Sequence, residues 1–112
     1  IPHFREFIDC ANIAYKHVLI EGDRYFRGKD IEWLIDNHEA RVYVLTVELS
    51  EEHNRHAERG DTQSEVWLKG RRSQINNILT NMNLLGQLQI RDNNSIETSM
   101  KIEEEIYDRI IS

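Results

Sequence analysis

Five cations, Arg55, Arg59, Lys69, Arg71 and Arg72, fall within one short stretch of a chain whose net charge is -6. A guanidinium presents two parallel donors, the geometry that grips a tetrahedral phosphate. A basic cluster on an acidic chain predicts a focused anion site, not a broad nucleic-acid footprint. Arg55 and Arg59 stand four apart and stack on one helical face. The opposing reading is a solvated face, with the cations paired to neighbours such as Glu58 and Glu65. Spacing alone leaves both open. Gln63 and Trp67 share a face in the same way, so Trp67 either covers a base or packs in the core.

A second constellation, Glu21-Gly22-Asp23-Arg24-Tyr25, follows the apolar run Val18-Leu19-Ile20. Glu21 or Asp23 could accept a substrate proton or hold a metal-bound water, and Arg24 could grip a phosphate. The alternative is a solvated turn with a local Asp23–Arg24 ion pair. His53 and His56 have a spacing that suits a metal, but no nearby cysteine completes a ligand set. They are read as a solvent-exposed pair, and no metal site is expected. Cys10 sits on an apolar helix face and reads as a small core residue. The run Glu103-Glu104-Glu105 reads as a solvated helix face.

The elements that must position these residues follow from periodicity and caps. Apolar spacing predicts a helix over about 4–15 and another over 30–36. Residues 17–22 read as a buried strand closed by Gly22, and 41–47 as the best strand of the chain. Ser50 and Gly60 bracket a helix over 51–59. Thr62 and Glu65 form a capping box that opens a helix reaching about Met82, with Gly70 a possible interruption. A short strand is expected at 87–90. Asn94 and Glu97 then cap a last helix whose Ile102, Ile106 and Ile110 line one face. Strands separated by helices predict an α/β fold with a parallel sheet, which carries ligands beyond its carboxyl ends.

The 112 residues bound the chain to one small domain, and 30% charged with 39% hydrophobic residues is ordinary for a soluble globular protein. The acidic balance argues against non-specific binding to DNA or an anionic membrane. No apolar run approaches the roughly 20 residues of a membrane span. Cys10 is the only cysteine, so no internal disulfide forms, and with no visible secretory signal a cytoplasmic location is expected. The start at Ile1 hints at processing or at a segment of something longer.

With these residues in hand, the chain resembles the P-loop nucleoside and nucleotide kinases. Val18-Leu19-Ile20-Glu21-Gly22-Asp23-Arg24 looks like their third strand, whose acidic residue and arginine face the phosphate acceptor. Asp23-Arg24-Tyr25 is similar to the Asp-Arg-aromatic motif of thymidylate kinases. The strand at 41–47, with Arg55, Arg59 and the run to Arg72, resembles the fourth strand and the arginine-bearing lid. Arg59-Gly60-Asp61-Thr62-Gln63-Ser64-Glu65-Val66-Trp67-Leu68-Lys69-Gly70-Arg71 is similar to lids of phage-type small kinases, and this is the most specific match. The strand near 87–90 with Asp92-Asn93-Asn94-Ser95 resembles the last strand and the loop beside adenine. The likeness runs from about residue 16 to the end.

The resemblance implies a three-layer parallel sheet flanked by helices, with ATP and Mg2+ as cofactors and a nucleotide and small-molecule acceptor as partners. It implies Glu21, Asp23 and Arg59 as catalytic residues, and Arg24 and Tyr25 as acceptor-binding ones. Arg55, Arg59, Lys69 and Arg71 would close on the phosphate, and Asn93 and Asn94 would lie by the nucleotide. One departure is severe. The loop Gly-x-x-x-x-Gly-Lys-Ser/Thr, which cradles phosphates and orders magnesium, is absent from the sequence. In that fold the missing first strand lies between the 17–22 and 41–47 strands. The chain then reads as a single partial domain, the acceptor-and-lid portion of a kinase lacking an amino-terminal part. Direct pairing of those two strands, or a strand from a partner chain, would also close the gap. Alternatives are a non-catalytic scaffold derived from such a kinase, and a kinase of hydroxymethylated bases in phage DNA. Nucleic acid and membrane are not expected partners.

Overall fold

The computed structural model describes residues 3–22, 27–60 and 65–111. In chain order these form α1 (Phe4–Ala14), α2 (Gly28–His38), β1 (Val42–Thr46), α3 (Leu49–Glu58), α4 (Glu65–Leu79), a 3-10 turn (Met82–Leu84), β2 (Leu88–Asp92) and α5 (Ile96–Ile111). The strands pair in parallel, with Val42 opposite Leu88 and Thr46 opposite Asp92. The crossover between them is α3 and α4, as parallel pairing demands a long connection.

Alternation along the strands divides the sheet's two faces. Val42, Val44 and Leu88 pack against a core of Ile31 and Ile35 from α2, Ile78 from α4 and Leu84 from the 3-10 turn. Leu84 is only 1% exposed and Leu68 of α4 only 2%. The other face carries Tyr43 and Arg91. Arg91 makes a two-pronged bond to Glu105 of α5, at 3.1 and 2.7 Å. That bond holds the Glu105 carboxyl below its ordinary value, first through the hydrogen bond and then through the arginine's charge. The Tyr43 hydroxyl is buried with no partner at hydrogen-bond geometry. Its pKa is raised, by burial first and by the charge of Glu105 second.

Helix α1 lies against α2. Phe4 meets the Trp33 ring edge-on at 6.4 Å, Arg5 sits over the same ring, and His38 Nε2 reaches Asp9 Oδ1 at 2.8 Å. Ile8 is buried on this side. Cys10 is exposed, not the core residue its spacing suggested, because two residues turn a helix by about 200° and carry it away from Ile8.

The expected three-layer parallel sheet is not the fold. The molecule is mostly helical, with a single two-stranded sheet among the described residues. Residues 17–22 form no strand, and Val18, Leu19 and Ile20 are 39%, 72% and 36% exposed. A strand is stable only where neighbours satisfy its backbone groups, and an apolar triplet carries no instruction about which neighbour that is. With that strand gone, so is the gap expected between it and 41–47. The remaining elements lie close to expectation, with strand and helix ends shifted by a few residues. Gly70 does not interrupt α4. The Thr62–Glu65 box lies outside the described residues.

Candidate anion-binding cleft

An open cleft of about 610 Å³ lies at the carboxyl end of β1. Its floor is Leu45, Thr46 and Val47, where the strand runs out. One wall is α3, which presents Glu52, Arg55, His56 and Arg59. These residues recur every three or four positions and so share a face. The opposite wall is α4, which presents Arg71 and Arg72, then Ile75, Asn76 and Leu79 one and two turns on. Buried Leu68 anchors that helix. Gly60 takes φ 75°, a left-handed conformation suited to glycine, just beyond the end of α3. Four arginines from two helices therefore converge on one space.

Each guanidinium is held differently. Arg55 Nε bonds Glu51 Oε1 at 3.0 Å, and its Nη2 donates to the Asn93 carbonyl at 2.6 Å. Arg59 Nη2 approaches His56 Nδ1 at 3.4 Å. Arg71 lies over the Trp67 ring, 4.6 Å from its centre, and His56 meets the same ring edge-on. Stacking engages the face of a guanidinium, not its N–H edge. Arg72 crosses the cleft. Its Nη2 donates to the Val47 carbonyl at 2.9 Å and meets Glu52 Oε2 at 2.8 Å, while its Nε is buried without a partner. Glu52 is the single carboxylate lining the cleft among the described residues.

The structure sorts the residues expected to act. Arg55, Arg59 and Arg71 come together in the cleft; Lys69 is exposed and lies off it. Glu21 is exposed in non-strand chain and does not line the cleft. Asp23, Arg24 and Tyr25 lie outside the described residues. Asn93 and Asn94 serve the scaffold. The Asn94 side chain accepts from the Glu48 backbone at 2.7 Å at the start of α3, and the Asn93 side chain accepts from the Ser99 hydroxyl. The cap of α5 is accordingly the reciprocal Ser95–Thr98 pair, one residue beyond the expected Asn94–Glu97 pair. Glu105, expected in water, is bound by Arg91.

The sequence reading gives Glu52 no role, reads His56 as half of an exposed pair, and counts Arg72 in the cation cluster without a role in closing on phosphate. Glu52 and His56 share the face of Arg55 and Arg59 at helical spacing, a signal that was present. His56 is half-buried in the cleft, not one of a solvent-exposed pair. The partners of Arg72, Val47 and Glu52, lie outside α4, so the residues around it give no sign of its bonds.

No protein-family model matches this chain, and no curated protein or solved structure matches it. No described helix is long and apolar enough to cross a membrane.

Proposed function

We propose that the chain binds a phosphorylated small molecule in the cleft between α3 and α4. The observation that supports this reading most is the convergence of Arg55, Arg59, Arg71 and Arg72 at the carboxyl end of β1. Like charges repel, and four cations around one small space hold an anion favourably when it arrives. Arginine supplies the paired donors that phosphate oxygens accept. The apolar floor and Ile75 give room for a ligand body beyond the phosphate. A net charge of -6 favours a small anion over a nucleic acid.

Phosphoryl transfer is the more demanding form of this reading, with the chain as the acceptor-and-lid part of an ATP-dependent kinase. The arginines fit the phosphates of ATP. The residues present do not fit its magnesium-bound form, because the sequence lacks the glycine-rich loop that wraps the phosphates and supplies the magnesium-binding hydroxyl. No catalytic step is therefore derived.

Isothermal titration with inorganic phosphate, pyrophosphate and ATP, with and without magnesium, tests the proposal. Phosphate-bearing ligands should bind, and the uncharged nucleoside should not. Arg59→Ala should weaken binding roughly tenfold or more, the loss of one charge-assisted hydrogen bond. Absence of binding by every phosphate ligand would refute the reading.

A further inference from the structure

We infer that Glu52 is the cleft's internal anion, a carboxylate that competes with phosphate for the cleft's arginines. The inference rests on the reading of the cleft as a phosphate site. It follows from the ion pair that Glu52 makes with Arg72. Arg72 Nη2 donates to the Val47 carbonyl at 2.9 Å and lies 2.8 Å from Glu52 Oε2. The buried Nε is out of a ligand's reach, so an anion meets Arg72 at its Nη groups, beside Glu52. There it competes with the partners already in place. The Val47 carbonyl is backbone at the end of β1 and cannot leave. Glu52 is on a flexible stem and can rotate out.

The surrounding charges explain why a carboxylate stands there. From α3 the cleft receives Arg55, His56 and Arg59, and from α4 Arg71 and Arg72. The neighbouring Glu51 is spent on Arg55 along its own helix and does not line the cleft. Glu52 alone reaches across to the opposite wall. It neutralises one cation in the empty cleft and ties α4 to α3. Phosphate competes with that internal partner, so its affinity is set by the difference between the two.

The test is Glu52→Gln, which keeps the side chain's shape and an oxygen that can accept from Arg72 but removes the charge. Two readouts should move in opposite directions. The variant should bind inorganic phosphate roughly three- to tenfold more tightly at fixed ionic strength. Without phosphate it should unfold at lower urea than the parent. A residue that merely positions Arg72 would lower both affinity and stability when changed. Unchanged or weaker phosphate binding by Glu52→Gln overturns the inference, while binding by the parent leaves the phosphate site standing. No phosphate binding by either form, with both folded, overturns the inference and the site together.

Discussion

Replacing Arg72 by methionine asks whether one guanidinium holds the cleft together. Methionine keeps an unbranched apolar stem of similar reach, so the change isolates the polar head. The head contributes a bond to the Val47 carbonyl at 2.9 Å and an ion pair with Glu52 at 2.8 Å. Hydrogen bonds involving a charged group contribute about 1.5–3 kcal/mol. The two side chains of the pair are 37% and 19% exposed, so water screens part of that and the low end applies. Removing the unpartnered buried Nε returns some stability. The net loss is roughly 1–2 kcal/mol. For a domain of this size that lowers the urea midpoint by roughly 0.5–1 M. The assay is equilibrium unfolding followed by tryptophan fluorescence and circular dichroism together. Combining Arg72→Met with Glu52→Gln should cost less than the sum of the two changes, by about 0.5–1 kcal/mol. An unchanged midpoint, or strict additivity, would show that the pair does not hold the walls.

Two further outcomes test the scaffold. Gly70 lies inside α4, and a Cβ there would meet no atom within 4 Å. Gly70→Ala should therefore stabilise the fold by about 0.5–1 kcal/mol and raise the melting temperature by several degrees, with phosphate affinity unchanged. A lower melting temperature would mean that α4 is not a continuous helix at that point. The Arg91–Glu105 bond sets a pH dependence. The folded state holds the Glu105 carboxyl below its free value, so it is the unfolded chain that takes up the proton first. The bond's stabilisation is complete above about pH 4.3, the unfolded value, and is lost as pH falls through the lower folded one. Glu105→Gln should lower the urea midpoint at pH 7, and the gap from the parent should close as the solution is acidified through that window. A gap constant with pH would assign the effect to packing instead.

Local chemistry carried much of the sequence reading. The spacing of Ile102, Ile106 and Ile110 marked the buried side of α5, and the β-branched run at 41–47 marked β1. Both signals are complete within a few residues, which is why they could be read. Where a cap had competing neighbours the reading moved by one residue, because Asn94 was drawn to the backbone at the start of α3 and left the cap to Ser95.

By itself the sequence determined that cations concentrate between residues 55 and 72, and that Arg55 and Arg59 share a face. It determined the helices and strands whose signals are local. Only the tertiary structure decided which cations meet. The fold of α4 against α3 brings Arg71 and Arg72 opposite Arg55 and Arg59, turns Lys69 outward, and sets Glu52 against Arg72. It also left Val18, Leu19 and Ile20 exposed and paired only two strands among the described residues. Helix face and cap chemistry act over three or four residues, whereas strand pairing and a cross-cleft ion pair depend on residues brought together only by the whole chain's packing.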